Sequence, residues 1–270
     1  MPAHIAPDRT RGLIIACGEL AGDERSAGLL TRLLSFVGVH PRIALLTAPD
    51  TASDDDHWLE PALLAAGAGE VRIHSLRARA DAMNPRLLDA MDHADLIVIG
   101  PHAPLRLTTL IGGTQLARSL RRRSADGVAV GAIGASAAIL SEHMLMHGAE
   151  GATPRQGGVS LAPGLGLTNR VVVDPGGSAS DRLGRLLTAL SLNPFALGLG
   201  IDGCTAAVIG PDNVLDVIGV GGITILDPAE MEDSNAAAVS DGAPIRITNM
   251  RLHALTGGTR YDLDFRRAVT

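Results

Sequence analysis

Over its first half the chain exchanges short apolar runs with amphipathic ones, and few folds accept that pattern. GLIIA (12–16), RIALLTA (42–48), EVRIHSL (70–76), DLIVIG (95–100) and GVAVGAIG (127–134) read as buried strands. Between them SAGLLTRLLSFVG, WLEPALLAAG and NPRLLDAMDHA carry helical spacing and end at Gly or Pro signals. Strand–helix alternation of this kind predicts a doubly wound, mainly parallel sheet flanked by helices. Functional groups in such sheets gather at the carboxyl ends of the strands.

The second half has a different pattern. After a good helix, SDRLGRLLTALSLNP (180–194), come ALGLGID, TAAVIG, VLDVIGVGGITILD and PIRITNMRLHAL, short strands separated by turn residues as in antiparallel hairpins. No internal repeat, low-complexity block or linker divides the halves. The expectation is one α/β domain over 1–270 with a β-rich C-terminal part, residues 1–11 forming an extended or disordered segment.

Composition narrows the chemistry. Hydrophobic residues are 46% but aromatics only 2%, so the core must be built from Ala, Leu, Ile and Val. There is no lysine, which excludes Schiff-base and P-loop lysine chemistry. A net charge of -6 with scattered arginines, apart from RRR at 121–123, argues against nucleic acid. Cys17 and Cys204 are far apart, and nine histidines show no metal-ligand spacing, so buried reduced thiols and no metal are expected. The start, MPAHIAPDRTRG, lacks the apolar stretch of a signal peptide, and no run reaches the roughly 18 residues of a membrane span, so a soluble cytoplasmic protein is expected.

The stretch VGAIGASAAIL (130–140) reads as the end of a buried strand running into a helix, with Ser136 at the bend. A nucleophile elbow places a serine at such a turn, usually as GxSxG, with backbone N–H groups nearby to hold an oxyanion. Here GASAA keeps Gly134 and Ser136 but has Ala138 at the second glycine, and a plain helix N-cap explains such a serine as well.

The wider sequence resembles the peptidase S51 family, and within it cyanophycinase. The resemblance rests on residues 105–148, PRQGGVSLAPGLGL (154–167), VVVDPGGSASDRLGRLLTALSLNP (171–194), GLGIDGCTAAVI (198–209), VIGVGGITILD (217–227) and HALTGGTRYDLDFR (253–266). It implies a fold like class I glutamine amidotransferases and dipeptidase E, no cofactor, and descent from a serine exopeptidase that cuts β-Asp-Arg dipeptides from cyanophycin. In that family the serine lies in GTSAGA, the histidine in DQHF, and a glutamate completes the triad.

Carried over residue by residue, the resemblance places Ser136 at the nucleophile position. The histidine position falls on Gly176, with Pro175 before it, and the glutamate position falls close to Gly151, with Glu150 beside it. Asp174, Arg182 and Arg185 match the D…R…R segment that shapes the substrate pocket, although an Asp with two Args also fits a structural ion-pair set. The family's GGDQ corresponds to PHAP (101–104) and its GIDE to GIDG (200–203). A serine without a base stays un-ionised near neutral pH. His102, in a loop at the carboxyl end of a strand, is the best-placed substitute base. His143 and His147, expected on or just after the helix following the elbow, are others.

Three functions follow: a non-catalytic subunit or partner of an active cyanophycinase-like chain, as a homodimer or heterodimer; an active serine exopeptidase with a relocated base such as His102, aided by Glu150; or a module that binds cyanophycin or β-Asp-Arg without cutting it.

Overall fold

The computed structural model describes residues 10–49, 58–176 and 179–269. Of the N-terminal segment expected to be extended, residues 1–9 lie outside the described residues. The chain runs β1 (Ile14–Cys17), α1 (Glu24–Val37), β2 (Arg42–Thr47), α2 (Leu59–Ala65), β3 (Glu70–Ser75), α3 (Pro85–His93), β4 (Leu96–Ile99), α4 (Pro104–Ile111), α5 (Gln115–Ala125) and β5 (Ala129–Ile133). A 3₁₀ run, Gly134–Leu140, follows, then β6 (His143–Gly148), β7 (Val159–Pro163), β8 (Val171–Asp174), α6 (Ala179–Leu192), β9 (Leu197–Ile201), β10 (Thr205–Ile209), β11 (Val214–Gly219) and β12 (Gly222–Asp227). The tail adds β13 (Asp233–Ser234), β14 (Ile247–Thr248), β15 (Arg251–Thr256), β16 (Arg260–Asp262) and β17 (Arg267–Val269).

The main sheet has nine strands in the order β17-β16-β11-β10-β1-β5-β4-β2-β3. The five from β1 to β3 are parallel, as the alternation predicts, and β10, β11, β16 and β17 extend the sheet antiparallel from β1. A second sheet, β15-β12-β9-β8, holds most of the remaining tail.

Burial explains why the parallel strands read as unbroken apolar runs. In β1, Ile14 and Ala16 join one core while Ile15 and Cys17 join the core on the opposite face, and β2, β4 and β5 divide in the same way. The α1 and α2 leucines close the first face of the sheet. On the other face α3, α4 and α5 share a large core with the inner side of the second sheet, and α6 covers that sheet's outer side through Leu186, Ala189 and Leu190. Among the described residues no helix is long and apolar enough to cross a membrane.

Two local expectations are corrected. The bend after β5 leads into a 3₁₀ run and not an α-helix. Residues 136–140 are buried throughout, and the Ile139 and Leu140 carbonyls accept the Leu165 and Leu167 amides at 2.7 and 3.0 Å, which competes with helix propagation. His143 and His147 stand on the strand β6, paired antiparallel with β7, and not on a helix.

Candidate functional site

The site is built where β5 and β8 end. β5 stops at Gly134, which turns into the left-handed region at φ 60. Ala135 is then exposed, whereas Ser136 is wholly buried. The Ser136 hydroxyl donates to the Ile133 carbonyl at 2.7 Å and lies 3.4 Å from that of Ile99. It is directed back onto the ends of β5 and β4.

Beside this turn lies a cleft of about 660 Å³. Ala135 and Ala138 form one wall and Pro104, at the start of α4, stands above them. The strand β6 with Ala149 and Glu150 forms another wall, and Asp174, Pro175 and Gly176 at the end of β8, backed by Arg185 of α6, complete it. The ionisable groups facing it are His147, Glu150, Asp174 and Arg185; His147 and Glu150 are exposed.

Asp174 and Arg185 form a fork. Arg185 Nε and Nη2 donate to the two carboxylate oxygens at 2.8 and 3.0 Å, and Nη2 also donates to the Gly176 carbonyl at 2.8 Å. The Gly176 amide donates to Asp174 Oδ1 at 3.3 Å. Burial pushes the Asp174 carboxyl above its ordinary range, and the Arg185 bonds only partly offset that desolvation. At Gly176 a β-carbon would meet nothing within 4 Å among the described residues, so on their side the cleft is open where a side chain would enter.

The other expected residues are dispersed. The Arg182 guanidinium pairs with Asp202 of GIDG, which also accepts the Gly222 amide at 3.0 Å, and its charge acts on Asp174 less strongly than that of Arg185. His102 is buried after β4 and is not part of the cleft lining, which takes Pro104 from that loop. Gly151 has φ 105, and its carbonyl accepts the Gly184 amide at 3.1 Å, tying this turn to α6. His147 is the cleft residue that the helical reading misplaced. The burial of β6 does not alternate cleanly, because its register with β7 shifts between Leu145 and His147, so the sequence carried no clear period-2 signal for it. Among the described residues no cluster of three or more His, Cys, Asp or Glu side chains is arranged to hold a metal ion.

No family model matches the chain. Individual relatives do. A cyanophycinase from Synechococcus elongatus is 33% identical over 261 residues, which span 94% of this chain and 80% of the relative. The chain belongs to the cyanophycinase family. A second cyanophycinase, from Trichormus variabilis, is 33% identical over 204 residues, 75% of this chain and 68% of its own. The fold is shared more widely. A peptidase from an acI-B1 Actinobacterium superposes with a TM-score of 0.69 at 18% identity, covering 94% of this chain and 98% of that one. A putative peptidase E from Listeria monocytogenes does so at 0.50 and 9%, covering 78% and 100%. In this cyanophycinase-family chain the cleft at the ends of β5 and β8 is therefore walled at two positions by Ala135 and Gly176, neither of which carries a reactive side chain.

Proposed function

We infer that this chain is a non-hydrolytic member of the cyanophycinase family, acting as a subunit or partner of an active cyanophycinase-like chain in cyanophycin degradation. One observation carries the reading. Among the described residues that line the cleft none carries a hydroxyl or thiol, and Gly176, at the position the resemblance gives to the family's histidine, offers no base. Acyl transfer by a serine needs the hydroxyl and a base within about 3 Å of each other. The Ser136 hydroxyl is instead spent on a backbone carbonyl inside the fold.

A second reading draws on the Asp174–Arg185 fork, which still lines the cleft. On that reading the chain holds cyanophycin or its β-Asp-Arg dipeptide without cutting it. The relocated-base reading has His147 and Glu150 on the cleft to draw on, but His102 is outside it.

The test is direct. The purified protein, incubated with cyanophycin, is expected to release no β-Asp-Arg and to take no label from a fluorophosphonate probe. Dipeptide release would overturn the non-hydrolytic reading. Without release, saturable binding of the dipeptide by calorimetry selects the binding module over the subunit.

A further inference from the structure

The turn after β5 raises the question of which residue stands where a nucleophile would act. In a nucleophile elbow that residue takes the strained position of the turn, and its side chain rises above the carboxyl edge of the sheet. Backbone conformation and side-chain direction both decide against Ser136.

Gly134 is the first residue after β5 and has φ 60, the conformation that L side chains adopt only under strain. Ser136, two residues on, has no such conformation. Direction agrees. A β-carbon built on Gly134 would lie 3.3 Å from Pro101 Cβ and 3.9 Å from Glu19 Cγ. Pro101 and Glu19 are exposed and follow β4 and β1, the two strands that flank β5. A side chain at 134 would therefore start between the exposed residues that follow the two flanking strands, beside the cleft whose lining begins at Ala135, while that of Ser136 turns inward; Gly134 itself is buried.

We propose that Gly134, and not Ser136, occupies the apex of the elbow. The chain then has glycine at both reacting positions, 134 and 176. GTSAGA laid on residues 134–139 matches Gly134, Ser136 and Ala137; laid two residues earlier, on 132–137, it matches Ala135 and Ala137 and puts Ser136 at the second glycine. Identity counting favours the first register, and backbone geometry favours the second. Glycine also removes the strain that a serine at φ 60 would store, which a turn without chemistry has no reason to keep. The assignment rests on the non-hydrolytic reading in one respect, the lack of a side-chain nucleophile among the described residues of the cleft.

The test compares Gly134→Cys with Ser136→Cys in the full chain, each treated with a small methanethiosulfonate under native conditions. The parent protein serves as control for Cys17 and Cys204, both buried. Gly134→Cys is expected to react at least about tenfold faster than Ser136→Cys, with the difference vanishing in denaturant. Equal rates, or faster reaction at 136, overturn the assignment. Should Gly134→Cys fail to fold, Ser136→Cys decides alone. Protection of its introduced thiol from the reagent that is lost only in denaturant upholds the assignment, and native-state reaction clearly faster than that of the buried Cys17 and Cys204 overturns it.

Discussion

Arg182 and Arg185 lie one turn apart on α6, and they separate because their carboxylate partners arrive from different strands. Asp174 ends β8 and its side chain is 4% exposed, whereas Asp202 follows β9 and is 44% exposed. This difference in burial sets the expected cost of losing each arginine. Arg185→Met leaves the Asp174 carboxylate buried without its cation and should cost about 3 kcal/mol, as for a broken buried pair. Arg182→Met leaves Asp202 free to rehydrate and keeps an apolar side chain in the space, so about 1 kcal/mol is expected. Urea unfolding of the two variants checks the order; equal losses would show that burial does not separate the pairs. Sequence motifs exposed the Asp and both arginines but not their pairing, because Asp202 meets Arg182 only once β9 has been placed beside β8. Ser136 was conspicuous in sequence for its flanking Gly and Ala residues, while the direction of its hydroxyl depends on the backbone of Gly134.

At the scale of elements, legibility followed burial. β1, β2, β4 and β5 announced themselves because both faces of each are covered, and the α1 leucines repeat at helical spacing because one face is. The run after β5 misled because it is apolar on every side; a buried 3₁₀ turn and an α-helix share that signature, and the carbonyl partners that decide between them come from residues 165 and 167. β1, where the parallel and antiparallel halves of the sheet meet, carries a testable consequence. Burial and the neighbouring Cys204 push the Cys17 thiol from 9.0 up to about 12. In the unfolded chain the thiol ionises near 9, and in the folded chain it resists. The stability this group contributes is therefore complete below pH 9 and is lost as pH rises from 9 towards 12. Tyr261, raised by burial from 10.0 to about 12, acts in the same direction. Urea midpoints measured between pH 8 and 11 should fall, and Cys17→Ala should make the fall shallower; an unchanged slope in that variant would exclude the thiol.

In the whole molecule, glycines of two kinds separate the scaffold from the site. At Gly18, just past β1, an added β-carbon would lie 2.1 Å from the Asp202 carbonyl oxygen, so close packing of β1 on the turn after β9 demands glycine there. At Gly176 nothing among the described residues lies within 4 Å of an added β-carbon, and φ is not in the left-handed region. Gly176→Ala is thus expected to leave stability unchanged or raise it by up to about 1 kcal/mol, while Gly18→Ala should destabilise severely by overpacking; thermal melts of the two compare them. On the proposed non-hydrolytic reading, the fold has kept what packing requires and dropped a side chain where only chemistry required one. That combination suits a protein retained for what its surface does. On the proposed role the chain must pair with an active cyanophycinase-like chain, through an interface of at least about 1,000 Å² with an apolar centre. Co-expression of the two, followed by size-exclusion chromatography and mass spectrometry, is expected to give one species containing both. If they elute apart and the active chain's rate is unaltered by added partner, the subunit role fails. Binding of the dipeptide at the Asp174–Arg185 fork then becomes the reading to pursue, with loss of that binding in Arg185→Met as its own check.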